Sequence, residues 1–177
     1  MSGRRGAPCR DDRISDSRRP VPAPVRIWLE IAHHGAFRIG GWAFVRQRDG
    51  AVSGAAGGAR RLDLEPTALR ALAAALSGLA QGDPVELRTS SPQALAIPGR
   101  IAAAEAGDAP PTEDLELWVK AAAALRRPGL VVSRAISAPR TPTAFAAAWA
   151  DLACDRAKTK GEFSAPIPKH NLAKAGV

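Results

Sequence analysis

Apolar and polar residues alternate from Val25 to Glu30, which is the period of a β-strand with one buried face. A second apolar stretch, residues 39–48, is followed directly by Asp49 and Gly50, a dipeptide that favours a tight turn. Residues 51–61 are rich in glycine and fit a weaker third strand. These three neighbouring segments predict an antiparallel meander.

The hydrophobic period changes to that of a helix between Leu64 and Leu79. Leucines recur there at spacings of three and four residues, and Pro66 suits the first helical turn. One leucine face is therefore expected to pack against the sheet. The pattern then predicts a strand at 85–89, a short helix ending before Pro98, a helix at 113–127, a strand at 130–136 and a helix at 144–158.

The length and the low complexity of the two ends fit one domain with terminal extensions. The chain has 177 residues, whereas single domains cluster near about 100 to 150 residues. The first 24 residues show little apolar periodicity and end in a Pro-rich spacer, which is typical of disorder. We therefore predict a disordered basic tail at 1–24, one domain at 25–158 and a flexible basic tail at 159–177.

The net charge of +8 is concentrated at the two ends of the chain. Residues 1–24 hold six arginines and three aspartates, and residues 156–177 hold five basic residues and one acid. The residues between them hold 14 basic and 13 acidic side chains. Basic ends of this kind bind phosphates without sequence preference, or they serve only to keep a protein soluble.

The chain has no apolar run close to the roughly 20 residues that span a bilayer. Its arginine-rich start lacks the apolar core of a signal peptide. We therefore predict a cytoplasmic protein that does not enter a membrane. In that compartment a disulfide between Cys9 and Cys154 is not expected.

Four motifs follow one another in the order found in the ribonuclease H type 1 family. GGWAFV at 40–45 resembles that family's second strand, and TALRALAAAL at 67–76 resembles its first long helix. LELWVKAAAAL at 115–125 and WADLACDRA at 149–157 are similar to two later helices. The resemblance to the ribonuclease H-like superfamily covers residues 25–157. It implies an α/β fold with a five-stranded mixed sheet, three antiparallel strands followed by parallel ones, flanked by helices.

Members of this family cleave the RNA strand of RNA/DNA hybrids with four carboxylates around two Mg²⁺ ions. Hard cations require such oxygen ligands. The residue that matches the first carboxylate is Glu30, but the residues that match the other three are Ala68, Ser90 and Ala150. The resemblance therefore implies a degenerate catalytic set. No cofactor is expected, and only an active protein would hold Mg²⁺ at Glu30.

Two acids near these positions are candidate substitutes for the missing carboxylates. Glu65 precedes Ala68 by about one helical turn, and Asp151 directly follows Ala150. One helical step rotates a side chain by about 100 degrees, so Asp151 is expected to point away from the matching position. The two acids could form a metal site with Glu30. We favour the alternative, in which Asp151 lies on a solvated helix face and Glu65 is an acid at the start of a helix.

Basic side chains near the last predicted strand are candidate nucleic-acid contacts, with Arg134 and Arg140 in first place and Arg126 and Arg127 beside them. The tryptophans lie inside predicted elements, so core packing is expected for most of them. The leading hypothesis is a ribonuclease H-like protein that binds an RNA/DNA hybrid or another duplex without specificity and is catalytically weak or inactive. The alternatives are an active ribonuclease H with relocated acids and a scaffold that binds a protein partner.

Overall fold

The structure is a computed structural model that describes residues 22–177. The strands are β1 (Val25–His34), β2 (Ile39–Arg48), β3 (Ala51–Arg60), β4 (Val85–Thr89), β5 (Leu130–Arg134) and β6 (Phe163–Pro166). The helices are α1 (Leu64–Leu76), α2 (Pro92–Glu105), α3 (Leu115–Leu125), α4 (Pro142–Lys160) and α5 (Lys169–Leu172).

One mixed sheet with the strand order β5-β4-β1-β2-β3-β6 forms the centre of the molecule. β1, β2 and β3 form the predicted antiparallel meander, and β6 extends it on the far side of β3. β4 and β5 add to β1 in parallel. The carboxyl ends of β1, β4 and β5 therefore meet at one edge of the sheet.

Each face of the sheet carries its own helical layer, because alternate residues of a strand point to opposite faces. On β1, Ile27 and Leu29 belong to the core beneath α1, whereas Trp28 and Ala32 belong to the core beneath α4. As predicted for most tryptophans, Trp28 is buried in a core rather than displayed for stacking. The side that each β1 residue faces thus fixes which helix it meets.

The sixth strand is a correction to the predicted five-stranded sheet. The sequence shows no convincing structure after residue 158, yet β6 pairs with β3, and Ile167 and Leu172 are 3% and 6% exposed. Prolines and polar residues separate the apolar side chains of this segment, so no period marks it in the sequence. Its order comes instead from pairing and burial against a distant strand.

The second helix is also longer than the sequence predicts. Pro98 removes a backbone donor and was expected to end the helix, but α2 continues through it to Glu105. Ile97 and Ile101, four residues apart on one helix face, are both buried in the core. Their packing offsets the penalty of an internal proline, which is about 3 kcal/mol.

No helix among residues 22–177 is both long enough and apolar enough to cross a membrane. Cys154 is a buried free thiol whose Sγ lies 3.3 Å from the carbonyl oxygen of Ile39. Cys9 lies outside the described residues, so the expectation of no disulfide stays a prediction. The predicted basic tail at 1–24 lies outside them as well, apart from its last three residues.

Candidate functional site

The carboxyl ends of β1 and β4 bring together two of the four positions singled out in the sequence. The parallel register pairs Trp28 with Arg88, which places Glu30 beside Ser90 two residues further along. The backbone N–H of Ser90 donates to Glu30 Oε1 at 2.6 Å, and Ser90 Oγ donates to Glu30 Oε2 at 2.7 Å. One serine thus engages both oxygens of the carboxylate.

Burial dominates the electrostatics of this pair. Glu30 is only 4% exposed, and the loss of water around its charge raises the pKa of the carboxyl above its usual value. The two hydrogen bonds from Ser90 act in the opposite direction, because they stabilise the ionised form. The net shift is upward, so desolvation outweighs the hydrogen bonds.

The other two matching positions hold small, fully buried side chains. Ala68 in α1 lies in the core on one face of the sheet, and Ala150 in α4 lies in the core on the opposite face. Both are 0% exposed. Neither helix therefore presents a polar group towards Glu30 from these positions.

The candidate substitutes do not join Glu30. Glu65 forms an ion pair with Arg100, and Asp151 is exposed on α4. Within residues 22–177, no three His, Cys, Asp or Glu side chains form a group that could hold a metal ion. The trio of Glu30, Glu65 and Asp151 is accordingly not assembled in this fold.

The four candidate arginines near β5 differ in their exposure and in their hydrogen-bond partners. Arg134 ends β5 in register with Thr89, next to Ser90, and Arg140 is exposed in the loop before α4. Arg127 is instead buried, and its guanidinium donates to the carbonyl oxygens of Leu76 and Ala80. Arg127 therefore stabilises the end of α1 and does not face solvent as a nucleic-acid contact would.

Arg126, the fourth of these candidates, is paired with an acid. Its guanidinium donates to Glu105 Oε1 at the end of α2. The side chain is 66% exposed, so the pair lies at the surface and contributes little to stability. Arg134 and Arg140 are the exposed arginines at the end of β5 and in the loop that follows it.

A basic groove lies on the α4 side of the sheet, and of its arginines the sequence predicts only Arg134 as a nucleic-acid contact. It has a volume of about 620 Å³, and its floor and walls include Arg26, Trp28, Arg88, Arg134, Thr141 and Thr143. Arg26 and Arg88 occupy alternate, outward positions of short apolar strands, which is the only signal that the sequence offers. Their convergence depends on the parallel pairing of β1 with β4.

No protein-family model matches the chain, and no curated protein matches it. Solved structures do match it. LC9-RNase H1, a type 1 RNase H with the type 2 active-site motif, aligns with a TM-score of 0.60 and 15% identity. The alignment covers 89% of this chain and 83% of that chain.

A second solved structure is the N-terminal RNase H domain of Rv2228c from Mycobacterium tuberculosis, fused to maltose-binding protein. It aligns with a TM-score of 0.54 and 18% identity over 76% of this chain and 96% of that chain. These likenesses confirm the ribonuclease H-like fold that the motifs predict, with a sheet of six strands instead of five. Sequence identities of 15% and 18% establish the fold alone.

Proposed function

We propose that this chain, which has the ribonuclease H-like fold, binds nucleic acid and is catalytically weak or inactive. The observation that carries the proposal is the state of Glu30. Both of its carboxylate oxygens accept hydrogen bonds from Ser90, and the other two matching positions are buried alanines. Of the four positions that match the family's catalytic centre, only Glu30 therefore holds an acid.

The donor set does not fit a pair of Mg²⁺ ions. Two hard cations need several carboxylate oxygens to neutralise them, and Glu30 is the one acid at the four matching positions. Burial also raises the pKa of its carboxyl, so a proton competes with a cation for Glu30 up to a higher pH than at an exposed glutamate.

Binding is supported by charge at the same edge of the sheet. Arg134 lies beside Thr89 at the end of β5, and Arg140 is exposed in the following loop. The net charge of +8 adds to this attraction from the two ends of the chain, where most of it lies. Arginines bind phosphate oxygens with charge-assisted hydrogen bonds, and contacts to the backbone carry no sequence preference. The proposed partner is therefore an RNA/DNA hybrid or another duplex, bound without specificity in the cytoplasm.

The test is to titrate the full chain into a fluorescently labelled RNA/DNA hybrid and into duplex DNA, with and without Mg²⁺. We expect binding at about 50 mM salt that weakens as salt rises, because bound phosphates release counterions. We expect no Mg²⁺-dependent cleavage. Arg134→Gln combined with Arg140→Gln should reduce the salt slope by about one for each arginine that contacts a phosphate.

The matched control removes two positive charges elsewhere, with Lys120→Gln and Arg126→Gln on α3 and its carboxyl end. This control should bind more tightly than the Arg134 and Arg140 variant at every salt concentration. Cleavage that requires Mg²⁺ and disappears in Glu30→Gln would instead identify an active ribonuclease with relocated acids. Absence of binding at about 50 mM salt would contradict the proposal and favour a protein-binding scaffold.

A further inference from the structure

The basic groove on the α4 side of the sheet has a floor that continues directly from the Glu30 position. Trp28 pairs with Arg88, and Arg88 pairs with Ser133, so these three residues form one row across β1, β4 and β5. Glu30 and Ser90 lie two residues further along the same strands. Two residues of a strand span about 6.6 Å, so the groove lies next to the candidate site.

Positive charge exceeds negative charge in this groove. Arg26, Arg88 and Arg134 line it, and Glu86 lies beside Arg26 and Arg88. Glu86 Oε2 lies 3.0 Å from Arg88 and 3.8 Å from Arg26, so one carboxylate is shared between two guanidinium groups. Val177, the last residue of the chain, brings its terminal carboxylate to the same groove, so three guanidinium groups face two carboxylates and one positive charge is left in excess. Trp28 forms an apolar part of the floor.

Neutral donors at the start of α4 complete the groove. Thr143 is 3% exposed, lines the groove, and its hydroxyl bonds to no residue of the described chain. The positive end of a helix of 19 residues, α4, lies at the same place. Thr141 Oγ1 already accepts from the N–H of Ala144 at 3.2 Å, so the cap is formed and Thr143 is the spare hydroxyl.

We propose that this groove binds a phosphate group, with Arg88 and Arg134 as its charged ligands and the Thr143 hydroxyl as a neutral donor. Guanidinium groups, a hydroxyl and a helix start are the donors that phosphate oxygens favour. A volume of about 620 Å³ accommodates a nucleotide-sized ligand. The phosphate belongs either to a free nucleotide or to the backbone of a nucleic acid, and in the second case the inference rests on the proposed function.

The experiment measures binding of two probes, adenosine monophosphate and a 12-base-pair RNA/DNA hybrid, to the full chain by calorimetry. Arg88→Gln should lower the affinity for whichever probe binds by about tenfold or more, because a charge-assisted hydrogen bond is lost. Thr143→Val should lower the affinity by a smaller factor. Thr143→Ser, which keeps the hydroxyl, should have the affinity of the wild-type protein. The matched control is Arg126→Gln, which removes an exposed, ion-paired arginine outside the groove and should change binding less than twofold.

The two probes separate this inference from the proposed function. If the mononucleotide binds through Arg88 and the hybrid does not bind, the groove is a nucleotide site and the proposed function fails. If only the hybrid binds and Arg88→Gln lowers its affinity, the groove binds a backbone phosphate of the hybrid. If the hybrid binds equally to Arg88→Gln and Arg126→Gln, the groove inference is overturned while the proposed function stands. If neither probe binds, both are overturned. Unchanged thermal unfolding shows that each variant is folded.

Discussion

The Glu30 carboxylate lies where its negative charge is unfavourable, in a nearly buried position with a serine as its partner. Desolvation raises its pKa, and the two donors of Ser90 compensate only in part. In an active two-metal centre, cations would stabilise the ionised form. The geometry around Glu30 instead favours a carboxyl that holds a proton more tightly than an exposed glutamate does.

This difference makes folding stability depend on pH at Glu30. A raised pKa in the folded state adds stability that is fully present below the ordinary glutamate pKa of 4.5 and is lost as pH rises through the raised value. Glutamine has no proton to lose. The stability of Glu30→Gln relative to the wild-type protein, measured by urea unfolding from pH 4 to pH 8, should therefore increase with pH.

Ser90→Ala provides the comparison for this measurement. It removes one donor that lowers the pKa of Glu30, so its loss of stability should extend to a higher pH than in the wild-type protein. A gap between Glu30→Gln and the wild-type protein that stays constant over the whole range would contradict the raised pKa. The carboxyl resonance of Glu30 in NMR titrations gives an independent reading.

At the scale of elements, close packing of α4 on the sheet depends on small residues. The buried face of α4 includes Ala146, Ala150 and Ala153, and it lies on strands that carry glycine at Gly41 and Gly58. A Cβ atom at Gly41 would lie 2.5 Å from the carbonyl oxygen of Ala150. Gly41, the second glycine of the pair in the second strand, is therefore required by the approach of a helix backbone.

Gly41→Ala should destabilise the protein by about 2 kcal/mol or more, since the neighbouring atoms belong to the α4 backbone and move together. The matched control is Gly99→Ala in α2, where a Cβ atom meets open space. That control should be neutral or stabilising by about 0.5 to 1 kcal/mol, because alanine favours a helix. Equal effects in urea unfolding would show that α4 packs less closely than the structure indicates.

The molecule as a whole includes the segment after α4. β6 extends the sheet beyond β3, and Ile167, Leu172 and Ala175 lie in the core beneath α4. Much of the positive charge of residues 156–177 therefore lies on an ordered surface. Lys158 is paired with Asp155, and Arg156 lies over the ring of Phe163. The charge that suggests a flexible tail in the sequence is partly engaged within the fold.

Leu172→Ala measures how far this segment belongs to the folded unit. The side chain is 6% exposed, so its loss should cost about 2 to 4 kcal/mol of the free energy of unfolding. Leu152→Ala is the control, since that leucine is 58% exposed on α4 and its loss should change stability by less than about 0.5 kcal/mol. If the two variants unfold alike, Leu172 contributes no more to stability than an exposed leucine, and the segment is not part of the folded unit.

The sequence by itself determined the order and type of most elements and the positions that match the family's acids. Hydrophobic periods are local, and a leucine stripe or an alternating strand can be read within about ten residues. The sequence alone also shows that Ala68, Ser90 and Ala150 stand where the family has acids, because this depends only on which residue occupies each position. The fold predicted from these patterns agrees with the solved structures.

Only the tertiary structure decided which distant residues meet. Ser90 engages Glu30 across 60 residues of sequence. β6 pairs with β3, from which α1 to α4 separate it along the chain. The register of β4 with β5 places Arg88 opposite Ser133, the neighbour of Arg134. Pairing register and burial depend on long-range packing, which outweighs local signals such as Pro98 in α2. The hydrogen-bonded carboxylate and the basic groove are therefore properties of the fold and cannot be read from the local sequence.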